Sequence, residues 1–346
     1  MRNTASFAGQ VLDQPQNILE IEGLQMFFPI LKGFLRRQVG SIKAVNDVDL
    51  SIRRNEVLGL VGESGCGKST LGRCILRLYE PTGGTIHFDH GGERFSLLDL
   101  KKHEMRKMRR SIQMIFQDPF SSLNDRMTVK EIVGEPLLVN QVASGRELED
   151  RVERMLVRVG LRPEHMRRYP HAFSGGQRQR IGIARALAIH PALVVADESV
   201  SALDVSVQAQ IMNLLKELQA EFQLTYVFIS HDFGVIRYLS DRIAVMYAGK
   251  IVEIAARDEL LHTPRHPYTE ALLSAVPRVK AHQRRDRILL KGNPPDVSNL
   301  PKGCAFSERC SYAKDICSNQ VPVLRGVGEG HQAACHFAVE IKLRGI

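Results

Sequence analysis

The stretch that decides the fold reads Gly62-Glu63-Ser64-Gly65-Cys66-Gly67-Lys68-Ser69-Thr70, which fits the pattern G-x-x-x-x-G-K-[ST] of a phosphate-binding loop. An apolar run at 57–61 precedes it, as a buried strand would, and the helix-compatible run LGRCILRLY follows at 71–79. Such a loop turns backbone N–H groups toward a phosphate, and the following helix adds the positive end of its dipole. Because both flanks fit, a chance glycine-rich turn is the weaker interpretation. We therefore predict that Lys68 binds the β- and γ-phosphates of a nucleotide and that the Ser69 hydroxyl binds Mg²⁺.

The size and composition of the chain limit the classes of protein to which it can belong. Its 346 residues are enough for a full α/β core and a smaller module. No apolar run approaches the roughly 18 residues of a membrane span, and the N-terminus lacks a secretory signal. We therefore expect a cytoplasmic protein whose membrane role would depend on a partner. The net charge of +9 is best explained by scattered solvated Lys and Arg, and the basic clusters are short, separate and without interleaved aromatic residues, so we expect no nucleic acid as a partner.

Strand and helix patterns alternate along the chain, which predicts the α/β class. Residues 1–17 are expected to form a tail. A strand from Ile18 to Phe28, a basic loop from Pro29 to Ser41 and an edge strand from Ala44 to Ile52 are predicted before the phosphate-binding loop. The elements predicted after that loop and its helix are a strand at 85–88, a charged helix at 97–110, strands at 111–116 and 193–198, a helix at 208–222 and a strand at 224–229.

A stretch of about 50 residues without a strand pattern interrupts this alternation. Residues 128–168 have a mostly helical pattern, with breaks expected at Gly134-Glu135-Pro136 and from Gly160 to Pro163. We therefore predict a helical subdomain at about 118–175.

Polar residues that suit nucleotide chemistry follow several of the predicted strands. Gln117 stands at a strand end before a proline, where its amide can sense a metal or a water. Asp197 and Glu198 end another strand, where one carboxylate can hold Mg²⁺ and the other can orient or deprotonate a water. A pair of solvated acids is the alternative. His231 follows a third strand, and ligands collect at such strand ends in α/β folds.

Two further features have both a functional and a purely structural interpretation. Ser174-Gly175-Gly176 opens a helix with Gln177 in its first turn, which makes a second anion-binding helix terminus or an ordinary cap. Phe28 lies shortly before the edge strand and can stack on a purine base or pack in the core, with Phe27 and Phe34 as rivals for the stacking role.

The ordered set of these motifs resembles the ATP-binding cassette (ABC) family over roughly residues 18–265. The most specific part is FSGGQRQRIGIARAL at 173–187, followed by ADE at 196–198 and SALD at 201–204. The resemblance implies a P-loop NTPase fold, namely an ABC nucleotide-binding domain with a helical subdomain. It also implies that two domains pair head to tail and that the segment from Ser174 to Gln177 of one completes the ATP site of the other.

The resemblance implies a role for each matching position. Gln117 would sense the γ-phosphate and Mg²⁺, Glu198 would be the general base and His231 would organise the γ-phosphate and water. Ser199 departs from the D-E-P pattern usual in the family, for which we expect a small local effect on the backbone. The remaining residues implied in nucleotide or Mg²⁺ binding are Phe28, Gly62, Glu63, Ser64, Gly65, Cys66, Gly67, Lys68, Ser69, Thr70, Asp197, Ser174, Gly175, Gly176, Gln177 and Asp204, the last across the interface.

The segment from Pro264 to Leu273 (PRHPYTEALL) resembles the end of the cassette in oligopeptide/dipeptide importers, and the long basic loop resembles their F-type subunit. This implies an ATPase subunit that powers peptide uptake, peripheral at the cytoplasmic face of the inner membrane. The implied partners are a paralogous ATPase subunit or a second copy, two membrane permease subunits and an extracytoplasmic substrate-binding protein. Import of another solute such as nickel remains open, as does a soluble ABC ATPase that acts on nucleic acid.

Four of the six cysteines lie in the last 45 residues, at Cys304, Cys310, Cys317 and Cys335. In a cytoplasmic chain such clustering indicates a metal site rather than disulfides, and four thiolates suit zinc or an iron–sulfur cluster. Free thiols, His331 or His336 as ligands, and a redox sensor are alternatives. The resemblance to peptide-importer ATPases implies a [4Fe–4S] cluster within a C-terminal extension at 266–346.

Overall fold

The computed structural model describes residues 17–34, 37–118, 120–276 and 287–346. The predicted tail therefore lies almost wholly outside the described residues. None of the helices in these ranges combines the length and apolar character that crossing a membrane requires.

An eight-stranded sheet carries the phosphate-binding loop. Its strand order is β11-β12-β10-β9-β3-β8-β7-β6, and the strands from β9 to β6 run parallel to one another. All residues of β3, β7 and β8 are buried, which is why these strands are continuous apolar runs in the sequence. The bounds are β3 Val57–Val61, β6 Ile112–Ile115, β7 Leu193–Asp197, β8 Thr225–Ser230, β9 Arg242–Tyr247, β10 Lys250–Ala256, β11 Arg325–Gly328 and β12 His331–Ala333.

A second, antiparallel sheet has the order β2-β1-β4-β5, with β2 at the edge as predicted. The predicted loop at 29–41 is wrong, because the two strands continue to pair through most of it, with Pro29 opposite Ser41 and Ile30 opposite Gly40. Cross-strand pairing therefore outweighs the loop-like composition of this segment. The bounds are β1 Asn17–Lys32, β2 Arg37–Arg53, β4 Gly83–His90 and β5 Glu93–Ser96.

The described helices include the one that follows the phosphate-binding loop and two, α3 and α4, that lie in the predicted strand-free region. Their bounds are α1 Lys68–Ile75, α2 Lys102–Met108, α3 Val129–Val139, α4 Gly145–Arg158, α5 Gly175–Leu187, α6 Val205–Phe222, α7 Phe233–Leu239, α8 Arg257–His262, α9 Pro267–Ser274 and α10 Asp315–Asn319.

Two of the helix predictions need correction. Helix α3 continues through Gly134 and Pro136, where a break was expected, because its apolar face is buried and Gly134 lies against Leu148. The predicted helix at 97–110 is confined to α2, since Leu97 N–H donates to the Ile86 carbonyl and is held in a turn. The expected break at 160–163 is observed between α4 and a 3₁₀ turn at Pro163–Arg167.

The C-terminal residues continue the main sheet. Strand β12 pairs antiparallel with β10, with Glu253 opposite Ala333, and β11 pairs with β12. A 3₁₀ turn, Ser307–Arg309, precedes Cys310 and packs near the phosphate-binding loop. The C-terminal segment (residues 287–346) is therefore built onto the edge of the sheet that carries that loop.

Candidate nucleotide site

The phosphate-binding loop joins the carboxyl end of β3 to α1, as its motif predicts. Gly67 caps the helix with φ 109°, and a Cβ added there would lie 2.0 Å from the Ala44 carbonyl oxygen, so no other residue fits. The ammonium of Lys68 is buried and donates to the carbonyl oxygens of Gly62 at 2.8 Å and Glu63 at 2.9 Å. The loop thus holds its cation inside the curve of its own backbone.

The Mg²⁺-binding pair predicted from the sequence is in contact. Ser69 Oγ donates to Asp197 Oδ1 at 2.7 Å, and Asp197 is only 2% exposed. Burial raises the pKa of Asp197, while the hydrogen bond from Ser69 acts in the opposite direction. A hydroxyl and a carboxylate oxygen on adjacent elements form a donor set that suits Mg²⁺.

Two polar residues from two other strand ends meet at Glu198. Gln117 Nε2 donates to Glu198 Oε2 at 2.9 Å, and His231 Nδ1 lies 3.1 Å from Glu198 Oε1. The backbone of Glu198 has φ 43°, in the left-handed region that non-glycine residues rarely adopt, and its N–H donates to the Ile229 carbonyl. Ser199, which follows, is buried, and its Oγ has no hydrogen-bond partner among the described residues. The strained backbone aims the Glu198 carboxylate at its two partners.

The second helix start lies on another element and shows the predicted cap. Ser174 Oγ accepts from Gln177 N–H at 3.4 Å, and Gln177 Oε1 accepts from Ser174 N–H at 3.1 Å. A Cβ at Gly176 would come within 2.4 Å of Val207 Cγ1, so the glycine permits close packing against α6. Among the described residues, no hydrogen bond joins Ser174, Gly175, Gly176 or Gln177 to the phosphate-binding loop. Asp204 is exposed at the start of α6.

Known proteins resemble both this site and the rest of the chain. The profile of the family "ABC transporter" matches residues 45–201, and that of "Oligopeptide/dipeptide transporter, C-terminal region" matches residues 252–317. The oligopeptide transport ATP-binding protein AppF of Bacillus subtilis is 52% identical over 325 residues, which cover 93% of this chain and 98% of that protein. The chain belongs to the family of ABC transporter ATP-binding proteins. The prediction of this family is confirmed, and the chain is a cassette-type ATPase.

Other relatives agree with this assignment. The putative oligopeptide transport ATP-binding protein YkfD of Bacillus subtilis is 48% identical, over 92% of this chain and 95% of that protein. A solved dimer of the ATP-binding cassette MJ0796, in a post-hydrolysis state bound to ADP and Pi, superposes with a TM-score of 0.61 at 31% identity. That match covers 69% of this chain and 98% of the other, so the prediction of a nucleotide-binding domain of the P-loop NTPase class is confirmed.

The aromatic residues proposed for base stacking have different surroundings in this cassette. The half-buried ring of Phe28 meets Tyr79 edge to face, with ring centroids 5.5 Å apart. Phe27 lies 5.8 Å from the Lys43 ammonium, and Phe34 is fully exposed. Phe28 therefore has a packing partner that sequence reasoning did not identify.

The four C-terminal cysteines line one small cavity, together with Phe306 and His336 among others. No disulfide joins any two of the described cysteines, and burial raises the pKa of Cys310 and of Cys335 to about 11, with nearby thiols adding to the effect. Within the described ranges, no three His, Cys, Asp or Glu residues form a group that could hold a metal ion. His331 is not among the residues that line this cavity, and its Nε2 lies 2.8 Å from the buried carboxylate of Glu253.

Two residues far along the chain contact the loop and were not predicted. Tyr268 Oη accepts from Glu63 N–H at 2.8 Å, and Arg309 forms two hydrogen bonds with the Glu63 carboxylate. Tyr268 lies in the PRHPYTEALL segment, whose resemblance to the importer family is the sequence feature that could have pointed to it. Nothing in the local pattern around Arg309 points to the loop.

Proposed function

We propose that the chain is the ATP-hydrolysing subunit of an importer for di- and oligopeptides. The observation that carries this proposal is the convergence of Lys68, Ser69-Asp197 and Glu198 with its two polar partners at one edge of the sheet. The names of the relatives AppF and YkfD and the matching C-terminal region support peptides as the cargo. The alternative cargo is another solute such as nickel.

Each side chain at this edge has a role that its geometry suits. Lys68, now held by two loop carbonyls, can transfer its hydrogen bonds to the β- and γ-phosphates of ATP. Ser69 and Asp197 would hold Mg²⁺, which supplies positive charge opposite the phosphate oxygens. Glu198 would accept the proton of the attacking water, and Gln117 and His231 would keep its carboxylate oriented. Phe28 would stack on the base, with Gly62 to Thr70 around the phosphates.

The second helix start would act in a partner cassette. Its N-terminal amides and the exposed Asp204 make no hydrogen bond to this chain's own loop in the contacts described, which leaves them available to complete the site of another subunit. We propose a paralogous ATPase as that subunit, on the basis of the sequence resemblance to an F-type subunit, and a second copy as the alternative.

The remaining machinery would be on other chains. We propose that the cassette at 18–265 docks, through its helical subdomain at about 118–175, on two membrane permease subunits, and that an extracytoplasmic binding protein delivers the peptide. The chain would then be peripheral at the cytoplasmic face of the inner membrane. A separate tail at 1–17 and a C-terminal extension at 266–346 remain part of this proposal.

For the C-terminal cysteines we propose a [4Fe–4S] cluster, with zinc as the alternative. The support is that all four cysteines line one cavity, and four thiolates are the ligand set of such a cluster. Chain purified without oxygen should contain about four irons and show cluster absorbance near 400 nm, and Cys310→Ser should lose both. One zinc per chain would support the alternative. A chain that contains neither iron nor zinc would indicate free thiols.

Uptake by cells tests the function. Cells that depend on this chain should take up labelled di- and oligopeptides with the wild type and not with Glu198→Gln. The matched control is Glu217→Gln, an exposed acid on α6. Unchanged peptide uptake with Glu198→Gln, in cells without another peptide importer, would contradict the assignment. If Glu198→Gln abolished nickel uptake and left peptide uptake unchanged, nickel would be supported as the cargo.

A further inference from the structure

The C-terminal segment reaches into the nucleotide site through one side chain. Arg309 Nη1 and Nη2 donate to Glu63 Oε2 and Oε1 at 2.8 and 2.9 Å, a two-point contact across 246 residues of sequence. The side chain of Arg309 is 7% exposed and that of Glu63 is 28% exposed. Such a pair is only partly screened by solvent, so the loss of one partner would leave the charge of the other poorly compensated.

Glu63 is held at its backbone as well as at its side chain. Its N–H donates to the hydroxyl of Tyr268, a buried residue of α9, and its carbonyl accepts from the Lys68 ammonium. One residue therefore links the C-terminal segment to the lysine that would bind the phosphates.

An aromatic wall keeps Arg309 in place. Its guanidinium lies 5.9 Å from the centroid of the Tyr247 ring, and Nη1 donates to the Tyr247 hydroxyl at 3.2 Å. Tyr247 in turn packs on Tyr268 and Phe306, with centroids 4.6 and 5.3 Å away. The guanidinium of Arg309 is thus held against packed aromatic residues at the carboxyl end of β9.

Because Glu63 is negatively charged, this contact affects phosphate binding as well as the packing of the C-terminal segment. Glu63 is the one acidic residue among the nine of the loop, and the loop receives a polyanion. Without a cation beside it, its carboxylate would repel the phosphates at short range. Two-point binding by Arg309 compensates that charge and fixes the direction of the side chain.

We propose that Arg309 is a positioning residue of the nucleotide site, which neutralises and orients Glu63 so that the loop can receive ATP. This proposal rests on the proposed ATPase function. It makes the C-terminal segment a part of the ATP site of its own chain, and Arg309 immediately precedes Cys310, one of the four clustered cysteines.

Binding of the non-hydrolysable analogue AMP-PNP to the full-length chain, with Mg²⁺, tests this role. Arg309→Met keeps most of the apolar stem and should raise the Kd about tenfold. Adding Glu63→Gln to it should bring the Kd back to within about threefold of the wild type, because the uncompensated carboxylate is then gone. Arg309→Lys keeps the charge but loses the two-point geometry and should raise the Kd by about threefold.

A matched control separates this role from simple bracing of the fold. Arg54 binds Asp89 at 2.6 Å beyond the opposite end of β3, so Arg54→Met should lower the melting temperature without changing the Kd. Two results would overturn the proposal: a Kd for Arg309→Met within twofold of the wild type, or a loss that Glu63→Gln does not reverse. If the wild type binds AMP-PNP no better than Lys68→Ala, the proposed ATPase site fails, and this inference fails with it.

Discussion

The edge of the sheet that carries Lys68 and the C-terminal segment differ in how their residues come together. At the sheet edge, Asp197 is the last residue of buried strand β7 and His231 directly follows buried strand β8, so parallel pairing alone places them near each other. In the C-terminal segment, Arg309 meets Glu63 only because short strands and turns fold back onto β10. The first region is organised by local sequence and the second by long-range packing. We expect substitutions in the first to change chemistry and those in the second to change stability or binding.

The largest expected effect is on catalysis at the sheet edge. Glu198→Gln removes the proton acceptor and keeps its shape, so kcat for ATP hydrolysis should fall about 10³-fold while AMP-PNP still binds. Steady-state hydrolysis by the assembled importer measures this, with Glu217→Gln as the control. A loss of less than tenfold would show that Glu198 is not the base and would weaken the contrast between the two regions.

In the C-terminal segment the largest expected effect is on stability. Phe306 is buried and packs on Tyr247, Tyr268 and His266, so Phe306→Ala should lower the free energy of unfolding by about 3 to 4 kcal/mol. Urea unfolding followed by circular dichroism gives the value. Leu289→Ala, at a side chain that is 79% exposed, should cost almost nothing. Equal losses for the two variants would mean that the C-terminal packing does not support the sheet.

A substitution at Gly67 tests whether the backbone of the phosphate-binding loop controls nucleotide binding at the sheet edge. Gly67→Ala would place a Cβ against the Ala44 carbonyl oxygen at φ 109°, and we expect roughly a hundredfold weaker binding of AMP-PNP. Gly182→Ala in α5 is the matched control, because an added Cβ there meets no atom within 4 Å. That variant should bind as the wild type does. Normal binding by Gly67→Ala would contradict the close approach of β2 to the loop.

The smallest effect concerns pH. Burial lowers the pKa of His266 from 6.5 to about 3, so between those values the unfolded chain binds a proton that the folded chain does not. Stability should therefore fall as the pH falls, by about 2 kcal/mol between pH 7 and pH 5 from this residue. Urea unfolding at both pH values should show a drop that is smaller by that amount in His266→Asn. An identical drop in the variant would show that His266 is protonated in the fold.

The same difference explains how much of the structure could be predicted from the sequence. The buried strands β3, β7 and β8 and the cap at Ser174 follow from apolar runs and capping residues, whose physics is local. The β1–β2 hairpin beyond Phe28 and the unbroken helix α3 do not, since cross-strand pairing and burial outweigh glycine and proline there. The contact of Arg309 with Glu63 leaves no trace in local spacing, because it depends on how the whole C-terminal segment packs.

The most direct test of the account measures ATP hydrolysis and peptide uptake in the same vesicles. Proteoliposomes would contain the permease subunits, the partner ATPase and this chain, with the binding protein and labelled peptide on the opposite side from ATP. The account predicts that both fluxes occur together with the wild type and that both stop with Glu198→Gln. Continued peptide uptake with Glu198→Gln, or hydrolysis without any uptake of peptide by the wild type, would contradict it.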